Sequence, residues 1–393
     1  MKKKRKKINK KKLKKSNSPK SKKILKKKRK KIKKKIKVNL GLSKQLNYQN
    51  IIINFFLYTI FSLDFYNEIK NIFLKKNFFI KLKMIIMEFT QAQICYKWIK
   101  KEKLFNSNNT ILYSFWSNYI LLSFEKLKKE KPNVCTISRT LGSDLNGYLK
   151  NDNYVPFIDK KFHSLNLLFV LANYQKQKIL KQNLIDKNKI VIAPLGIYKT
   201  TNLKKKIKFS TLNFLSCNNF IKIKNTLTMI EFIKYFSKFS KIKVNYNLIG
   251  SGNERNKIIN KLKNYSKYFS FKVINNVKNL QQHIKKNNIH FFMNFSSKEG
   301  MSFTIMEALG IGIPVISSDI EANINLVNND RGYLIKLHNT NNSFKVVSNK
   351  IINDVNNKKR YLSKKKNAYK FIKKNLINKK CYTIFEKKIV KLQ

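Results

Sequence analysis

The sequence predicts an α/β fold of two domains, each a parallel sheet with helices on both faces, preceded by a disordered basic tail. Three observations carry this reading. Residues 1–37 are nearly all lysine and arginine, with a few isoleucines and leucines and no acidic residue; like charges at that density repel and leave nothing to bury. From about residue 110 onward, short β-branched and aromatic runs alternate with amphipathic segments, the pattern of a sheet whose parallel strands are joined by helices. A lysine-rich stretch, Tyr198 to Lys208 (YKTTNLKKKIK), divides that alternation in two. At 393 residues and 42% hydrophobic content the chain can bury two cores.

The elements follow in order. The tail is too long and too basic for a secretory signal, which needs an early apolar block. The apolar run Ile51 to Leu63 is interrupted by Asn54 and closed by Asp64. It falls short of the ~20 residues of a spanning helix and reads as a buried helix. Asp64 to Lys101 reads as further helix, with large apolar residues near a 3.6 period and no proline or glycine. TILYSFW and NVCTISR read as strands around a helix from Ser117 to Glu130, followed by the strand LNLLFVLA, a helix, and the strand KIVIAPLG. Beyond the lysine-rich linker the strands are STLNFLSC, VNYNLIG, FKVIN, IHFFMNF and IPVIS. The helices between them are expected at Asn225–Phe239, Glu254–Tyr265, Asn279–Lys286 and Ser302–Leu309. The expected organisation is therefore a tail over 1–37, domains over 38–200 and 209–360, and a helical segment over 361–393.

Charge and cysteine usage bound the function. A formal net charge of +67 suits nucleic acid, anionic lipid or an acidic ligand, although lysine, asparagine, isoleucine and phenylalanine share A/T-rich codons and mutational bias is a second source of the charge. Cys95, Cys135, Cys217 and Cys381 form no C-x-x-C pair, and His163, His283, His290 and His338 stand apart. Neither a zinc site nor a disulfide framework is readable. No RNA-recognition motif, zinc finger or helix-turn-helix is present to support nucleic acid as the partner.

The candidate site is SSKEGMSFTIMEALGIGIPVISSD, Ser296 to Asp319. IHFFMNF is the strand, SSKEG the loop at its carboxyl end, and the helix starts after Gly300, whose missing side chain permits a tight turn. The amides of Met301, Ser302 and Phe303 then face outward at a helix start, where anions bind. Glu299 precedes the helix and Glu307 lies within it, about a turn and a half on. Carboxylates accept paired sugar hydroxyls, so two of them beside a phosphate-binding helix start suit a sugar nucleotide. From spacing alone, two solvated glutamates on a surface helix are the alternative.

The stretch also resembles the signature of retaining nucleotide-sugar glycosyltransferases of family 4 (glycosyl transferases group 1), which have two Rossmann-like domains in the GT-B arrangement. The matching positions are Glu299, Gly300, Glu307, Ala308, Gly312, Pro314, Val315, Ile316 and Asp319. NFLSCNNFIKIKN resembles the segment that brings the family's lysine to the donor diphosphate, which assigns that role to Lys224. NYNLIGSGNERNKI resembles the strand and G-x-G turn of the same domain, at Gly250 and Gly252. The amino-terminal half resembles members that build bacterial surface polysaccharides, with Arg139, Gly142 and Asp144 in the acceptor-side segment. Six positions depart from the pattern: Asn219 replaces an arginine, Leu141 a histidine, Ser302 a proline, Asn325 a glutamate, and Glu321 and Ala322 two glycines. The first strand and its glycine-rich acceptor loop are not recognisable.

The resemblance implies a cytoplasmic enzyme, or a degenerate copy of one, peripheral at the inner face of the membrane. It would move a sugar from a nucleotide-diphosphate sugar to a glycan or lipid-linked acceptor with retention of configuration, without metal or other cofactor. Glu299 and Lys224 would be catalytic. Glu307, Gly300, Met301, Ser302, Phe303, Gly250 and Gly252 would bind the donor, and Arg139 and Asp144 would lie on the acceptor side. The alternative is a non-catalytic basic protein that binds nucleic acid or an anionic membrane surface.

Overall fold

A computed structural model describes residues 48–54, 56, 61–105, 110–147, 153–201 and 208–392. The expected tail lies outside them, as do residues 202–207 of the expected linker. The chain begins with α1 (Tyr48–Asn54), α2 (Leu63–Ile72) and α3 (Phe78–Lys101). A four-stranded sheet follows: β1 (Ile111–Ser114), α4 (Ile120–Glu130), β2 (Cys135–Arg139), α5 (Ser143–Asn146), α6 (Ile158–His163), β3 (Leu167–Val170), α7 (Asn173–Lys181) and β4 (Ile190–Ile192). Its strands are all parallel, in the order β1-β2-β3-β4.

The second domain runs β5 (Thr211–Cys217), α8 (Thr226–Ser240), β6 (Lys243–Ile249), α9 (Arg255–Asn264), β7 (Ser270–Ile274), α10 (Leu280–Lys286), β8 (Phe291–Asn294), α11 (Phe303–Gly310), β9 (Val315–Ser318), α12 (Glu321–Ile324) and β10 (Gly332–Ile335). The chain ends in α13 (Thr340–Asn356), α14 (Lys358–Asn375) and α15 (Asn378–Ile389). The six strands are parallel in the order β10-β9-β8-β5-β6-β7.

Both faces of this sheet are buried, because neighbouring residues on each strand point to opposite sides. Phe214 and Phe291 join one core with Phe236, Tyr246 and Phe344. Leu215 and Phe292 join the other, with Ile305, Leu309 and Ile372. Fully burying such a side chain contributes about 1.5–3 kcal/mol. The strands β8 and β9, buried at every residue, show this two-sided burial.

Two crossings tie the domains. Ile197 donates its N–H to Leu376 at 2.9 Å, and Asn378 donates to Ile197 at 2.8 Å, so the chain leaving β4 and the chain leaving α14 run side by side. Helix α15 then returns to the first sheet, where Phe385 packs on Phe169 with ring centroids 4.6 Å apart.

The α/β reading holds, with two corrections among the helices. In its described residues the run from Ile51 to Leu63 is not a buried helix, residues 55 and 57–60 lying outside them: α1 ends at Asn54, whose side chain accepts from Lys97 at 2.9 Å. Ile52, Ile53, Phe56, Phe61 and Leu63 are exposed, since a short helix packed along α3 can cover only one stripe. The stretch from Asp64 to Lys101 is two helices, broken over residues 73–77 where Asn77 turns left-handed at φ 64°. Strand β10 was not foreseen; it is four residues long and follows an Asn-Asn-Asp-Arg turn. Among the described residues, no helix is long and apolar enough to cross a membrane.

Candidate functional site

The second sheet reverses direction between β5 and β8. From β5 the chain winds outward through β6 and β7, then returns to start β8 on the other side of β5. The helices that follow these two strands lead away from the reversal on opposite sides, leaving a crevice at the strands' carboxyl ends, where open α/β sheets bind ligands. The loops bounding the crevice are bonded together. Ser297 donates its N–H to Ile223 at 2.8 Å, and the Asn225 amide donates to Phe295 at 2.9 Å. A tight turn over Lys222–Lys224 and a left-handed Asn225 then aim Lys224 across the gap. Its Nζ lies 2.6 Å from Glu299 Oε1, which also accepts from the Ser296 hydroxyl at 2.8 Å. The two charged side chains are only 18% and 14% exposed, so a ligand entering between them would meet charges already largely withdrawn from water.

The neighbouring residue closes the crevice against the first domain. A Cβ on Gly300 would stand 1.3 Å from the Leu141 carbonyl oxygen, and one on Gly142 would stand 2.7 Å from the Gly300 nitrogen. The Leu141–Gly142 loop keeps this position because the buried carboxylate of Asp144 accepts three backbone N–H groups. These come from Gly142 at 2.7 Å, Leu141 at 2.9 Å and Ser117 at 3.1 Å. Burial raises the Asp144 pKa, and these N–H groups oppose the rise. From the far side, the Tyr174 hydroxyl lies 3.0 Å from the Glu299 carbonyl and 2.7 Å from that of Gly300. Lys298 donates to the Asn146 carbonyl at 3.1 Å.

Helix α11 opens onto the same crevice. Ser302 caps it, its hydroxyl accepting from the Ile305 N–H at 3.4 Å. The amides of Met301, Ser302 and Phe303 have no acceptor among the described residues. The carboxylate of Glu307, half-buried farther along α11, has neither a hydrogen bond nor an ion pair with any described residue. Burial pushes its pKa up. The Cys217 thiol is pushed up to about 11, first by burial and then by the charge of Glu307, which puts Glu307 beside the end of β5.

The sign of the Glu307 shift yields a prediction. A carboxyl whose folded pKa lies above its unfolded value is more easily protonated in the native state. Its contribution to stability is therefore lost as pH rises from the ordinary carboxylate pKa through the raised one. Glu307→Gln is expected to flatten the pH dependence of the unfolding free energy over that window and to unfold at a higher temperature than the parent at pH 7 without ligand. Denaturant melts at a series of pH values check this.

The other site residues named from the sequence lie elsewhere. Gly250 and Gly252 belong to the turn after β6, which packs on the loop after β5: a Cβ on Gly250 would meet the Asn218 carbonyl at 2.0 Å. Phe220 donates to Ser251 at 2.8 Å and accepts from Glu254 at 2.9 Å. These glycines thus support the loop that carries Lys224. Arg139 is buried in packing between the domains. It donates to the Ala193 carbonyl, and its guanidinium lies 5.2 Å from the Phe385 ring centroid and 5.6 Å from that of Phe169. Asn219 and Asn325 are exposed, and Asn325 donates to the Glu321 carbonyl at 2.7 Å.

Sequence reading missed Tyr174 and named Glu321 only as the replacement of a glycine. Both follow the carboxyl ends of strands, the single signal that could have marked them. Glu321 sits near enough to raise the pKa of Tyr174, whose shift comes mainly from burial, and to oppose the lowering that burial imposes on Lys178. Among the described residues no three His, Cys, Asp or Glu side chains converge as a metal site.

Comparison with known proteins agrees with this layout. Residues 199–371 match the family model described as Glycosyl transferases group 1. A TarM mutant of S. aureus, solved with fondaparinux, alpha-GlcNAc-glycerol and UDP, aligns with a TM-score of 0.61 at 17% identity, over 76% of this chain and 59% of that one. The pneumococcal O-GlcNAc transferase GtfA, solved with UDP and GlcNAc, gives 0.59 at 15%, over 77% and 60%. A glycosyltransferase from Rickettsia africae gives 0.57 at 15%, over 78% and 82%. The chain thus spans about three fifths of the length of the TarM and GtfA chains. A search of curated protein sequences gives no match. The protein has the GT-B fold, and its second domain is similar to the glycosyl transferases group 1 family over residues 199–371.

Proposed function

We propose that the protein transfers a sugar from a nucleotide-diphosphate sugar to a glycan or lipid-linked acceptor, with retention of configuration. The observation that carries this reading is the convergence, at the sheet's switch point, of Lys224, Glu299, the free amides of α11 and the unpartnered carboxylate of Glu307. Lys224 and the amides would hold the diphosphate and stabilise it as it leaves, which needs donors fixed before the charge develops. Glu307 would accept from the ribose hydroxyls, and Glu299 from the donor sugar. The burial of Glu307 without a partner costs stability in the empty protein, which is consistent with a ligand supplying the missing donors. The structural neighbours solved with UDP, among them the Anabaena protein HepE with UDP and glucose, support a uridine nucleotide as the first donor to test. The resemblance in the amino-terminal half supports an acceptor held on the first domain, at the cytoplasmic face of a membrane.

Calorimetry against UDP- and GDP-sugars tests the reading. Glu307→Ala and Lys224→Ala are expected to weaken donor binding about tenfold to a hundredfold, the worth of a charge-assisted hydrogen bond. Lys263→Ala, an exposed position on α9, is expected to bind as the parent does. Parent-like binding by all three variants, or no binding of any common nucleotide sugar by the folded parent at millimolar ligand, rejects the assignment.

A further inference from the structure

We propose that the tip of the α2–α3 hairpin is a docking surface for anionic lipid bilayers, inserting its apolar side chains among acyl chains while its lysines pair with headgroup phosphates. The hairpin turns at residues 73–77, and side chains that would ordinarily be buried stand in water there. Phe73 is 65% exposed, Leu74 93%, Phe79 82% and Ile80 51%. Phe73 and Phe79 both rest edge-on against Phe78, at 5.8 Å and 5.4 Å, so the tip is a preformed apolar wedge. Soluble surfaces seldom leave such clusters uncovered unless something binds there.

The charge pattern selects the occupant. From residue 69 to residue 87 there is no acidic residue, and Lys70, Lys75, Lys76 and Lys83 are exposed around the wedge. The acids of the two helices are turned toward the domain instead. Glu68 accepts from the Tyr154 hydroxyl at 2.6 Å and from the Phe157 N–H at 3.1 Å. Asp64 pairs with Lys160, and Glu88 with Lys161. An apolar tip ringed by cations, with every acid withdrawn, complements an interface that is apolar below and negative above. A second protein surface would have to supply an unusually acidic rim.

The test uses the full chain and vesicles of phosphatidylcholine alone or mixed with phosphatidylglycerol. Lys75→Glu with Lys76→Glu is expected to weaken binding to the mixed vesicles by about tenfold or more, at roughly a factor of five per cation lost. Leu74→Trp places a reporter at the tip, and vesicles with brominated acyl chains are expected to quench it well beyond the quenching of the two native tryptophans in the parent. Unquenched fluorescence from bound Leu74→Trp protein would mean that residues 1–37 alone hold the vesicle, which overturns the proposal. So would vesicle binding unchanged by the charge reversals while gel filtration shifts from dimer to monomer, which would assign the tip to a second copy of the chain.

Discussion

Gly300→Ala is expected to lower the proposed sugar transfer by about a hundredfold or more while leaving both cores folded. The new Cβ would lie 1.3 Å from the Leu141 carbonyl oxygen, 2.5 Å from its carbon and 3.0 Å from Gly142 Cα. All three atoms are backbone, so no side chain can swing aside; the two loops have to separate. Their separation stretches the Tyr174 bonds to the Glu299 and Gly300 carbonyls and shifts the carboxylate paired with Lys224. A displacement of about 1 Å at a reacting centre costs on the order of a hundredfold in rate. Turnover measured beside a thermal melt separates the outcomes. A rate loss with little change in melting temperature supports the closed crevice as the working arrangement. Parent-like turnover would show that transfer does not depend on this contact.

Asp144→Ala is expected to have the largest effect on stability. Three backbone N–H groups, of Leu141, Gly142 and Ser117, donate to this one buried carboxylate. Alanine leaves all three without an acceptor, at about 1–3 kcal/mol each, so a loss of roughly 3 kcal/mol or more is expected. For domains of this size that corresponds to a fall of about 6–12 °C in melting temperature. Asp144→Asn keeps one oxygen and is expected to fall between the parent and alanine. Its amide nitrogen faces donors it cannot satisfy. Turnover is expected to drop in both variants, because the Leu141–Gly142 loop that meets Gly300 loses its brace. Unfolding at the parent temperature in Asp144→Ala would show that solvent or relaxation satisfies the loop, and that the carboxylate is free for another role.

Much of the fold was legible from local pattern. Strand β5 was expected at Ser210–Cys217 and is Thr211–Cys217; α11 was expected at Ser302–Leu309 and is Phe303–Gly310. Periodicity and turn chemistry reside in neighbouring residues, so strands and helices could be read one at a time. The break at residues 73–77 escaped because no glycine or proline marks it. Asn77 takes the left-handed turn, and the apolar spacing continues through it. The exposure of Phe73 and Leu74 escaped for a related reason: apolar residues imply burial only when some other element arrives to cover them.

The same division runs through the candidate site. The sequence by itself determined that Glu299, Gly300 and Glu307 lie on a strand, loop and helix in that order, because those residues are contiguous and the turn is local. Only the tertiary structure decided what meets them. Lys224 reaches Glu299 because β5 and β8, far apart in the chain, are neighbours in the sheet. Tyr174 reaches Gly300 across 126 positions. Arg139, which the motif places beside the crevice, is drawn into the packing between β2, β3 and α15, because the chain's last helix returns there with Phe385. Pairings of this kind depend on how two sheets and a returning helix fill space together, and no window of neighbouring residues contains that information.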